Sequence, residues 1–134
     1  MINFTIRNLS YRATLEVLMD CDLSELVKLV KKRKIINTGE LSNDSDGYAI
    51  TTTSQYGIIW IRNFSYIPTS IATMVHEIEH YRNNILRSAG IELSEETEEA
   101  YTYIGTEIIE KVLTKNEKEV AKVLKNKIDI NVIQ

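Results

Sequence analysis

Thr73-Met74-Val75-His76-Glu77-Ile78-Glu79-His80-Tyr81 contains both histidines of this sequence, and the rest of the chain is best understood outward from it. On an α-helix a separation of four residues turns a side chain by about 400°, a net offset of about 40°, so His76 and His80 project one turn apart from neighbouring points. Two imidazoles so placed form the bite of a metal chelate. Zinc accepts neutral imidazole nitrogen at about 2.0–2.1 Å, and a carboxylate directly after the first histidine can reach a water at an open coordination position. Glu77 is that carboxylate. The bland alternative is a charged helix face on which these residues are merely solvated. Against it, the expected apolar stripe of the helix, Ile71, Val75, Ile78 and Ile85, runs apart from the line of Ala72, His76 and His80, which Thr73, Asn84 and Arg87 flank.

Pro68 followed by Thr69 or Ser70 marks a helix start and Gly90 a stop, which predicts a helix over 70–88 with the histidines near its middle. Two strands are expected before it, Tyr48–Thr53 and Gly57–Asn63, joined by a turn at Ser54-Gln55-Tyr56. Nearer the N-terminus, residues 2–7 alternate apolar and polar side chains, Asn8-Leu9-Ser10 offers a turn, and 11–18 returns as a second strand with Tyr11, Ala13, Leu15 and Val17 on one face. Asp22 and Glu25 suggest a capping box for a helix over 23–34, whose apolar positions are Leu23, Leu26, Val27 and Val30. The basic cluster Lys28–Lys34 closes that helix, where cations complement the dipole, and needs no phosphate to explain it. Asn37–Gly47 is a polar loop; its Asn and Asp residues lack the distant glutamate of a calcium loop. Downstream, Ser94 is the expected N-cap of a helix whose stripe is Tyr101, Ile104, Ile108 and Val112. Val120, Val123 and Leu124 mark a last charged helix, either separate or continuous with a kink near Asn116.

These elements describe an α+β protein in a single domain over 1–134. Hydrophobic content of 43% and charged content of 26% are ordinary for a globular chain, and one proline and five glycines leave no room for a disordered linker. The single cysteine, Cys21, cannot close an intrachain disulfide, and neither a leader pattern nor a long apolar run stands out, so the expected compartment is the cytoplasm, with no membrane partner. A net charge of −3 gives no electrostatic reason to expect nucleic acid. Oligomeric state is left open.

Two histidines are an incomplete zinc site, since catalytic centres usually use three protein ligands and a water. Glu95, Glu96, Glu98 and Glu99 lie on the following helix, which a short connection should bring back antiparallel to the first. Glu99 is preferred as third ligand because it lies a full turn into the helix, on a line with Tyr103 and beside the apolar stripe; Glu95 is the reserve.

With these residues the chain resembles the minimal zincin metallopeptidases, in the gluzincin pattern where His-Glu-x-x-His is completed by a glutamate on the next helix. Glu99-Ala100-Tyr101-Thr102-Tyr103 is also similar to the Glu-Ala-x-x-Tyr stretch of small phage-encoded metallopeptidases. The resemblance spans about residues 48–112 by order of elements. It implies a small zincin-like fold: an N-terminal mixed or antiparallel sheet with one helix, then the motif helix and a glutamate-bearing helix, with Gly57–Asn63 at the rim of a cleft. It implies zinc held by His76, His80 and Glu99, Glu77 as general base, and a peptide or protein substrate; beside these, Tyr103 is a candidate donor to the oxyanion, the alternative being an aromatic packed at the edge of a helix pair. Asn83 and Leu86 exclude the metzincin extension, and Tyr103 stands where the thermolysin-like pattern has an aspartate. No separate C-terminal lobe closes the cleft. The alternative expectation is a non-catalytic zincin-like binding or assembly protein, such as a phage component, in a host cytoplasm or a virion. A regulatory protease acting on a repressor is a third option, without any helix-turn-helix signal here.

Overall fold

The computed structural model describes residues 1–36 and 39–133, with side-chain surroundings as far as residue 122. Strands β1 (Ile2–Leu9) and β2 (Ala13–Met19) form the expected antiparallel hairpin. Its turn comes later than Asn8: β1 continues to Leu9, which is buried and pairs with Ala13, and a 3-10 turn, Ser10–Arg12, closes the hairpin. Tyr11 therefore stands exposed in the turn, while Ala13, Leu15 and Val17 share the buried face as alternation requires.

Helix α1 (Leu23–Lys32) buries Leu23, Leu26, Leu29 and Val30. Asp22 caps it by accepting from the Ser24 backbone N–H and hydroxyl, whereas Glu25 pairs with Lys28 and closes no reciprocal box. Just beyond the helix, Arg33 reaches back to the buried Glu16 of β2, donating Nε–H and Nη2–H at 2.9 and 3.1 Å.

Strands β3 (Gly47–Thr51) and β4 (Tyr56–Ile61) pair antiparallel, and β4 adds parallel to β2, giving one mixed sheet in the order β1-β2-β4-β3. The expectation that Gly57–Asn63 forms the rim is thus corrected. β4 lies inside the sheet and is covered on both faces, with Ile58 and Trp60 toward α1 and Ile59 and Ile61 toward the other helices. An unbroken apolar run is the mark of a strand with no wet face. Among the described residues β1 and β3 are the two edge strands, and β3 is the one beneath α2.

Helices α2 (Pro68–Ser88) and α3 (Glu98–Ile133) cover the face opposite α1. α2 lies over β3 and β4, and α3 over β1 and alongside α2. The deepest line of α2 is Met74, Ile78, Tyr81 and Ile85; Ile71 and Val75 are only half-buried. Tyr81 donates its hydroxyl to the Thr14 carbonyl at 2.8 Å, pinning α2 to the sheet. α3 begins at Glu98, one turn after the expected Ser94 cap. Thr97 closes a separate turn there, its Oγ1 accepting from the Ser94 N–H at 2.8 Å and donating to the Glu92 carbonyl at 2.6 Å. The stripe Tyr101, Ile104, Ile108 and Val112 is buried, and the helix runs on past Asn116 as one element. Asn116 is itself buried and donates to the Tyr66 hydroxyl at 2.9 Å. Of the expected positions, Asn37 lies outside the described residues, and Val123 and Leu124 lie beyond the described side chains. Among the described residues no helix is long and apolar enough to cross a membrane.

Candidate metal centre

His76 and His80 stand one turn apart on α2, both exposed, as the four-residue spacing requires. Their Nε2 atoms face each other at 3.2 Å, with the ring planes nearly perpendicular at 87°. Two nitrogens at that separation, each about 2.0–2.1 Å from a common ion, would subtend about 100–106° at it, close to the tetrahedral angle zinc prefers. The separation of the two nitrogens is that of two corners of a zinc site.

Glu77 follows His76 by one residue and so turns toward the sheet, where it is 7% exposed. Burial pushes its carboxyl above the usual carboxylate range, and the neighbouring imidazoles His76 and His80 pull the other way by less. Its carboxylate makes no ion pair or hydrogen bond to the described residues. The stem of Glu77 rests on Gly47 of β3: a Cβ at Gly47 would meet Glu77 Cγ at 3.2 Å and Thr73 Cγ2 at 3.1 Å. Glycine lets the edge strand come this close to the helix.

His76, Glu77 and His80 line a cavity of about 490 Å³ between α2 and β3. Its strand wall is Gly47, Ala49 and Thr51, whose side chains share the α2-facing side by the period of two. Asn84 and Arg87 continue the histidine line along the helix, and Asn84 Nδ2 donates to the Thr52 carbonyl at 3.0 Å. The strand wall was not anticipated from sequence. The glycine at 47 and small residue at 49 are its only local signal, and they acquire meaning once β3 is known to be the edge.

Glu99 and Tyr103 are not brought to this cavity. They line a different one, of about 530 Å³, with Ser10 and Tyr11. The reason is the side of α2 on which α3 packs. Arg82 of α2 meets α3, lying against Gly105 and over the Tyr101 ring at 5.8 Å. Arg82 is about 200° around the helix from His80, so α3 and the histidines occupy opposite flanks of α2. Among the described residues no group of three or more His, Cys, Asp or Glu side chains converges as a metal-holding set, so Glu95, Glu96 and Glu98 do not complete the pair either. Comparison with known proteins finds no matching family model, no matching curated protein and no matching solved structure.

Proposed function

We propose that this chain is a zinc-dependent peptidase in which His76 and His80 hold the metal and Glu77 is the general base. The observation that carries the proposal is the 3.2 Å approach of the two Nε2 atoms beside a buried carboxylate that has no partner among the described residues. Zinc, when bound, would lower the pKa of a coordinated water to about 7 and polarise a carbonyl. Glu77 is suited to take that proton and return it to a leaving amine, because burial makes it more basic than a solvated carboxylate. The outer edge of β3, unpaired with another strand among the described residues, offers main-chain partners to an extended peptide, and its small inward side chains leave the cavity open beneath. Glu99 and Tyr103 are given no part, because they line another cavity. The proposal rests on two imidazoles.

The test is metal analysis of the purified full chain beside His80→Ala, followed by turnover of an unfolded protein substrate with Glu77→Gln. His80→Ala should lose zinc. Glu77→Gln should keep zinc and lose about 10²–10⁴-fold in rate. Equal zinc in His80→Ala removes the centre, and wild-type turnover in Glu77→Gln removes Glu77 from the mechanism.

A second reading, a non-catalytic zincin-like binding or assembly protein, is favoured by the lack of a converging third donor among the described residues. It expects no turnover by the zinc-loaded wild type and normal partner association in Glu77→Gln.

A further inference from the structure

The cavity that holds the histidine pair has a cationic end that the hydrolytic reading leaves unused. Arg87 lines it, is exposed, and makes no ion pair or side-chain hydrogen bond among the described residues. Seven residues after His80, it stands about 10 Å further along the helix on nearly the same line. The cavity's one carboxylate, Glu77, belongs to the other end.

We infer that Arg87 selects peptides carrying a carboxylate side chain three residues to the N-terminal side of the bond held at the histidine pair; this rests on the peptidase reading of the site. The spacing follows from two rises. About 10 Å of helix matches about three residues of extended chain at 3.3–3.4 Å each. The direction follows from the wall. Gly47, at the start of β3, lies beside Thr73 and Glu77, and the Thr52 carbonyl, just past its end, is held by Asn84. β3 therefore runs the same way as α2. A peptide pairing antiparallel with β3, the more stable arrangement, lays its N-terminal part toward Arg87. Guanidinium donates in a planar fork that matches a carboxylate, and among the described residues no acid pairs with Arg87. Asn84, by tying the end of β3 to α2, fixes the distance between the wall and Arg87.

The probes are two peptide hydroxamates, Ac-Glu-Ala-Leu-NHOH and Ac-Gln-Ala-Leu-NHOH, whose metal-binding end sets the register. Their affinities for the zinc-loaded full chain are measured by calorimetry. The Glu peptide should bind about fivefold more tightly than the Gln peptide in low salt, and the ratio should shrink in 1 M salt, as for a partly exposed pair. Arg87→Gln should bring the ratio to one and Arg87→Lys should restore part of it. Equal affinity for both peptides in the wild type, or an undiminished ratio in Arg87→Gln, overturns the role of Arg87 while leaving the metal site standing. Failure of both peptides to bind wild-type protein overturns the role of Arg87 together with the hydrolytic reading on which it rests.

Discussion

The ring of Tyr81 lies across Gly57 so closely that a Cβ at that glycine would stand 2.6 Å from two of the ring carbons. Tyr81 follows directly on His80, and Gly57 belongs to the inner strand β4, so this contact sets how deeply the helix bearing the histidines seats on the sheet. Gly57→Ala should therefore cost about 1–3 kcal/mol through overpacking. Urea denaturation should show a lower midpoint at unchanged m. An unchanged midpoint would mean that the helix is free to lift.

Tyr81→Phe removes the hydroxyl that reaches the Thr14 and Gln55 carbonyls at 2.8 and 3.3 Å but keeps the ring. The expected loss is about 1 kcal/mol, read from the same denaturation curves. Zinc content should stay at the wild-type level, because the ring contact with Gly57 that seats the helix is kept.

Glu99→Gln separates the two flanks of α2. With Glu99 in a cavity lined by Ser10 and Tyr11, its substitution should leave zinc content and stability within about 0.5 kcal/mol of wild type. Elemental analysis beside His80→Ala decides the matter: a joint loss of metal in both variants would place Glu99 at the centre after all.

Acid sensitivity should centre on Glu16. Burial alone would raise its carboxyl pKa, but hydrogen bonds from Arg33, Tyr56 and Asn3 outweigh that and hold it below the ordinary value of 4.5. A depressed folded-state pKa contributes stability that is present above the unfolded value and is lost as pH falls through the folded one. Stability should thus decline below about pH 4.5. Glu16→Gln should flatten that limb and lower stability at neutral pH by about 2 kcal/mol, the size of a charge-assisted bond to a partly exposed arginine. Unfolding free energy measured across pH 3–7 distinguishes the two proteins.

The elements written in local pattern were legible. Alternation marked β1 and β2, and Pro68 with Gly90 bracketed α2 because proline starts and glycine in the left-handed region stops a helix. The juxtaposition of His76 and His80 was legible for the same reason, since both sit on one helix. What depended on distant partners was not. Gly57–Asn63 reads as a strand anywhere in a sheet, and only its parallel pairing with β2 makes it internal and leaves β3 at the edge. Glu99 reads as a ligand on a neighbouring helix, and only the packing of Arg82 against Gly105 shows that α3 took the other flank. The Ser94 cap failed for a local reason: residues 95–97 form a separate turn, which Thr97 closes, before α3 begins.

The two imidazoles belong to one turn of one helix, whereas the glycine and alanine that face them come from a strand the chain must fold back to deliver. Any stretch of nascent helix around residue 78 could already clasp a divalent ion before the sheet exists. On the proposed reading, capturing zinc would thus ask only for a short peptide, while shaping what approaches it belongs to the finished molecule.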